Sequence, residues 1–290
     1  MKKILLLTDF SEASKKAIHF AQAMFSDVSA EFQLLHTYIV ETDGPYGAAI
    51  FFLEAEKKAK QELNRLLAEV TTQPVPDYHK YTTRTYPSTT VGTVEWILTQ
   101  EHFDYVVLGA TGTGNTELFG SVATGIIRNV KTNVLVVPET APIRPIRTVV
   151  LATDYQSVNH LHSLRPLKDM LTGKGAKLTF LTIQGPDEPT AGMAQTSRPF
   201  AHYFDTVNTD SYFIRNDDVE KGIDEYLTTH QVDLLVTVPH HRSLLDIITG
   251  RSITRKLAYK PRIPLLTVYD PEGLPIVIEK QDVYLAGRFS

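Results

Sequence analysis

The chain states one pattern twice. Val149-Val150-Leu151-Ala152-Thr153-Asp154-Tyr155 restates Ile4-Leu5-Leu6-Leu7-Thr8-Asp9-Phe10, an apolar run followed by Thr-Asp-aromatic. Leu178 to Ile183 answers Phe32 to Tyr38, Tyr212 to Ile214 answers Tyr78 to Tyr86, and Asp217 to His230 answers Thr90 to His102. Asp233 to Val236 answers Asp104 to Val107, and Ser252 to Val268 aligns with Ser121 to Val137 without a gap. Pro142 and Pro145 mark the junction. Two fused copies of one domain are therefore expected over residues 1–140 and 146–270, with a tail, 271–290, that has no counterpart.

Within each copy, short apolar runs without polar alternation read as strands of a buried parallel sheet. The stretches between them carry helical periodicity. Ser11 is a good N-cap with Glu12 in the first turn, and Ala13, Ala17, Phe20, Ala21 and Met24 recur on one face. A loop with Gly44, Pro45 and Gly47 leads into a long helix, Ala48 to Val70, rich in Glu, Lys and Ala. The order β-α-β-α-β-α-β-α-β predicts an α/β fold with right-handed crossovers. The second copy has a shorter, less helical middle, Gln184 to Val207. Asn159-His160-Leu161-His162 is expected to open a helix, and His36 to be a core histidine.

The stretch Asp104 to Pro138 carries the functional signal. Tyr105 to Leu108 is a buried strand, Val122 to Val130 a helix and Val134 to Val137 a second strand. Gly109, Gly112, Gly114 and Gly120 lie between strand and helix, and Ser121 follows. Glycines let backbone approach a ligand, and a helix N-terminus offers unpaired N–H groups and a positive dipole end. Together they suit an anion, above all phosphate. A tight strand–helix loop without a ligand is the alternative.

Composition removes several classes. The chain has no cysteine, which excludes disulfides, thiolate metal sites and cysteine nucleophiles. A net charge of −4, without a basic stripe, argues against a nucleic-acid partner. Asp9 cuts short the N-terminal apolar run, and no run is long enough to span a bilayer, so a cytoplasmic protein without a membrane partner is expected. Neither a G-x-S-x-G elbow nor a G-x-x-x-x-G-K-[ST] loop is present.

With a strand-1 aspartate at Asp9 and a glycine pattern of Gly109-Ala110-Thr111-Gly112 followed by Gly120-Ser121, the chain resembles the universal stress protein family in its tandem form. The resemblance implies two Rossmann-like (adenine nucleotide alpha hydrolase-like) domains, each a five-stranded parallel sheet flanked by helices, with ATP or ADP over the strand ends. It places the adenosine near Thr8, Asp9 and Thr37, and the phosphates at Gly109, Thr111, Gly112, Gly120, Ser121 and Val122. Mg²⁺ on the phosphates, held in part by Asp9, is a further implication. Seven residues separate Gly112 from Gly120, where the family pattern G-x2-G-x9-G-[ST] has nine. The second copy keeps the family length but puts Val238, His241 and Arg251 where the first has Gly109, Gly112 and Gly120. Side chains there take the space phosphates would need.

The expected function is adenine-nucleotide binding in stress response or signalling, with one competent site, in the N-terminal half. The resemblance also implies that the two halves meet through their last strands, Val134 to Val137 and Leu265 to Val268, as an internal pseudo-dimer; a homodimer and an unidentified protein partner are further expectations. A nucleotide-independent interaction scaffold and a slow ATPase using Asp9 are the alternatives.

Overall fold

The computed structural model describes residues 1–40, 48–72, 75–110, 120–155, 158, 160–185, 193–238 and 263–271. The first half runs β1 (Lys2–Leu7), α1 (Glu12–Met24), β2 (Ala30–Thr37), α2 (Ala48–Val70), β3 (His79–Tyr86), α3 (Thr90–Gln100), β4 (Tyr105–Ala110), α4 (Gly120–Asn129) and β5 (Asn133–Pro138). The second runs β6 (Thr148–Ala152), α5 (Arg165–Lys174), β7 (Lys177–Gln184), α6 (Met193–Tyr203), β8 (Thr209–Arg215), α7 (Val219–Thr229), β9 (Leu234–Thr237) and β10 (Leu265–Thr267). The histidines His240 and His241, the loop with Arg251 and the tail beyond Pro271 lie outside the described residues.

The strands among the described residues join one sheet of order β3-β2-β1-β4-β5-β10-β9-β6-β7-β8. Each half has the same internal order, and every pairing within a half is parallel. β5 and β10 join the halves antiparallel, with Leu265 opposite Val136, Leu266 opposite Leu135 and Thr267 opposite Val134. Asn133 reinforces the seam by accepting from the Tyr269 amide at 3.1 Å. Strand order reverses between β1 and β4, which opens a crevice outside their carboxyl ends.

Both faces of the sheet are covered, which is why the strands read as uninterrupted apolar runs. On one face Ile4, Leu6, Phe32 and Leu34 pack with α1 and α2, and the same layer continues through Leu151, Phe180, Leu167 and Phe204 of the second half. On the other, Leu5, Val106 and Val136 pack with Ile97 and Ile126, continuing to Leu235 and Ile223. Ser11 caps α1 by accepting from the Ser14 amide at 3.2 Å, and all five of the expected apolar positions of that helix are buried.

Two carboxylates pin the strand starts. Asp104 accepts from the Lys3 amide at 2.8 Å, and its repeat counterpart Asp233 accepts from the amides of Arg147 and Thr148, both at 2.9 Å. Asp233 also takes the Thr148 hydroxyl at 3.0 Å and the Arg144 guanidinium at 2.7 Å. The stretch at 159–162 does not open an α-helix: Leu161–Leu164 is a 3₁₀ turn, and α5 begins at Arg165. His160 instead bonds the buried Asp270 through its amide and Nδ1, both at 3.3 Å. Among the described residues no helix is long and apolar enough to cross a membrane.

Candidate functional site

The crevice is built on a strained elbow. Thr8, just past β1, is buried; its amide donates to the Leu35 carbonyl at 2.9 Å. Its Oγ1 accepts from the Phe10 amide at 3.0 Å and shares a hydrogen bond with Ser14 Oγ, also at 3.0 Å. These bonds hold Phe10 at φ 66°, the left-handed region, which costs an aromatic residue about 1–3 kcal/mol. Tyr155 repeats the geometry at φ 62°, with its amide 2.9 Å from Thr153 Oγ1. His36 Nδ1 donates to the Thr8 carbonyl at 2.8 Å, and Thr182 Oγ1 donates to the Thr153 carbonyl at 2.9 Å. His36 is thus a half-buried brace at the strand end, its ring 4.3 Å from that of Phe10, and not the core histidine its strand suggested.

A cleft of about 260 Å³ lies above the elbow, lined by Leu7, Thr8, Asp9, Ser11, Ser14, Thr37, Thr90, Leu108, Gly109, Ser121, Val122 and Ala123. The structure therefore brings together Thr8, Asp9, Thr37, Gly109, Ser121 and Val122. Gly120 opens α4, whose first turn forms one wall. Thr111 and Gly112 lie outside the described residues, in the segment that joins the two walls. Ser11, Ser14 and Thr90 are additions: each sits in or beside the first turn of a helix at the carboxyl ends of the strands, where that placement was their only signal.

Asp9 is exposed at the rim. Partial burial pulls its pKa upward, but hydrogen bonds from the Ser11 hydroxyl and amide, with Ser14, outweigh that and hold it below the ordinary carboxylate value. An ionised carboxylate only accepts, so it selects ligand groups that donate, such as sugar hydroxyls or an exocyclic amine. The first turn of α4 offers the opposite, N–H groups without acceptors inside the helix and the positive end of its dipole, which suit an anion. Thr37 and Thr90 share a hydrogen bond at 2.7 Å between these poles. Among the described residues no cluster of three or more His, Asp or Glu is placed to hold a metal ion by itself.

Gly109 has a second duty. A Cβ there would stand 2.4 Å from the Ala13 carbonyl carbon and 2.7 Å from the Ser14 amide nitrogen, so β4 touches the first turn of α1 only through a residue without a side chain. In the second half the counterpart is Val238, which is buried. It fits because α5 begins eleven residues past Asp154, whereas α1 begins three past Asp9. The hydroxyl pair is also replaced there: Ile183 and Val219 stand at the positions of Thr37 and Thr90 and pack into the apolar layer.

The model of the universal stress protein family matches residues 1–138. A universal stress protein from Archaeoglobus fulgidus is similar over 93% of this chain and 98% of its own, at 15% identity and a TM-score of 0.67. The cytoplasmic domain of a prokaryotic cation chloride cotransporter is similar over 93% of this chain and 95% of its own, at 14% identity and a TM-score of 0.55. A protein of unknown function from Pseudomonas aeruginosa PAO1 gives 12% identity and a TM-score of 0.53 over 92% of both chains. These likenesses show the fold alone, over more than nine-tenths of the chain. No curated protein matches it. Residues 1–138 thus match the universal stress protein family, and the second half repeats that α/β fold in tandem.

Proposed function

We propose that the N-terminal crevice binds an adenine nucleotide, ATP or ADP with Mg²⁺ on its phosphates, and that the chain serves stress response or signalling through that site. One observation carries this reading: the ionised Asp9 and the first turn of α4 face one cleft, an acceptor pole for a nucleoside and a donor pole for phosphate. The phosphates belong with Gly109, Thr111, Gly112, Gly120, Ser121 and Val122, and the nucleoside with Thr8, Asp9 and Thr37. Nucleotide engagement by the segment from Gly109 to Ser121 then alters a surface read by a protein partner, in the manner of other phosphate-held switches. The second crevice has lost the hydroxyl pair and the close-approach glycine, which supports a single site per chain.

Calorimetric titration of ATP, with and without Mg²⁺, tests the reading. One site per chain, abolished by Gly120→Leu, is the expected result. Absence of binding at high micromolar ATP favours the nucleotide-independent scaffold, which the shortened Gly112 to Gly120 spacing supports. Hydrolysis above that of an Asp9→Ala control is required before an ATPase role is entertained.

A further inference from the structure

A larger cavity, about 410 Å³, sits at the other end of α1, roughly 20 Å from the crevice by the length of that helix. Its walls come from three parts of the chain: the last turns of α1, the connection between the halves, and the end of α5. Phe20 and Met24, both buried, form its apolar base, and Ile143 and Ile146 close it from the connection. On one side Lys174 meets Asp27 at 3.1 Å. Those two residues each stand three positions before the second strand of their half, so the contact lies across the pseudo-two-fold relation and the cavity occurs once per chain.

The charge on its rim is not balanced. Lys174 is neutralised by Asp27, and Arg144 is committed to Asp233 at 2.7 Å. Arg147 uses its amide on Asp233, while its exposed guanidinium has no partner among the described residues. An apolar pocket at a domain junction with a small number of polar groups is the usual form of a small-molecule site, and of the charged residues here only Arg147 has no side-chain partner among the described residues. An unpaired arginine at the mouth of an apolar cavity suits a carboxylate on an apolar body, because a guanidinium fork matches two carboxylate oxygens. We propose that this junction binds an amphipathic monocarboxylate, an acyl or aromatic acid, independently of the nucleotide crevice. Such a ligand touches both halves and the connection, so occupancy stabilises the tandem arrangement by mass action.

Octanoate is the probe, titrated calorimetrically and by thermal unfolding against the full chain, with 1-octanol and octylamine as controls. One octanoate per chain, a raised unfolding midpoint and weak or absent binding of both controls are expected. Arg147→Gln weakens octanoate about tenfold while leaving the unliganded midpoint unchanged, since its guanidinium makes no hydrogen bond or ion pair among the described residues. Ile143→Trp, a change at an exposed position, fills the cavity and abolishes binding. Asp9→Ala leaves octanoate affinity intact and separates this site from the nucleotide reading. No binding at millimolar octanoate, equal binding of 1-octanol, or full affinity in Arg147→Gln overturns the proposal.

Discussion

Leu135 lies directly opposite Leu266 in the antiparallel pair of β5 and β10, and the same two residues are counterparts in the repeat. The neighbouring pairs obey the same rule: Val136 faces Leu265, the counterpart of Val134, and Val134 faces Thr267, the counterpart of Val136. This is an isologous contact, the form of a two-fold dimer interface, made inside one chain. Leu135 and Leu266 are both fully enclosed, so Leu135→Ala and Leu266→Ala are each expected to cost about 2–5 kcal/mol. Urea unfolding followed by circular dichroism checks both, and similar losses are expected from either side of the seam.

Gly109→Ala is expected to destabilise by about 1–3 kcal/mol, because the new Cβ meets α1 backbone and not a side chain that can turn aside. Nucleotide affinity falls with it, since the displaced first turn of α1 carries Ser14 and part of the Asp9 bonding. A thermal unfolding series comparing Gly109→Ala with Gly173→Ala provides the control, as a Cβ at Gly173 meets nothing within 4 Å. A midpoint drop for Gly109→Ala that matches the Gly173 control contradicts the packing role.

The four hydrogen bonds on Asp233 give an acid-side dependence. Burial pulls this carboxyl upward, but the amides of Arg147 and Thr148, the Thr148 hydroxyl and Arg144 together hold its pKa below the ordinary value. A depressed folded pKa means the stabilisation is complete above the unfolded value, about 3.9, and is lost as pH falls through the folded one. Asp233→Asn is expected to cost about 2 kcal/mol at neutral pH. The penalty shrinks in acid, where the parent loses the same contribution. Denaturation midpoints measured from pH 7 down to about pH 2 distinguish this from a pH-independent loss.

Thr90→Val removes the partner of Thr37 and imitates the second half, where Val219 stands. A fivefold loss of nucleotide affinity, about 1 kcal/mol, is expected with little change in stability. A double cycle with Thr37→Val should show the two losses to be less than additive, because the hydroxyls act as a pair. Additive losses would mean that each contacts the ligand separately.

Much of this architecture was legible in residue order. Helix α2 has the bounds its composition suggested, Ala48–Val70, because a long run of strong formers without glycine leaves the backbone little choice. The β5–β10 contact was expected from the family resemblance, while its antiparallel direction was not written in either strand. Gly109 shows the limit. Its glycine run pointed to phosphate, while its contact with Ala13 spans most of the first half and has no local signature. The late start of α5 was hidden for a similar reason: the segment around His160 has helical composition, but its backbone and ring are held by Asp270 from the far end of the chain. Long-range bonds of this kind override propensity without leaving a mark in the pattern.

The covalent link across the β5–β10 seam also changes what an amino-acid substitution can do. Two separate chains that met through this edge would acquire every change in duplicate and would need enough protein to stay associated. Joined end to end, the halves hold each other at the effective concentration of a short tether, about millimolar, whatever the cellular dose. A change then falls on one side only. Val238 can fill the place that Gly109 must leave empty, and Ile183 can stand where Thr37 shares its hydrogen bond with Thr90, without any loss at the first crevice. One lobe is thereby free to specialise as ballast, lever or docking face, while its twin keeps its crevice.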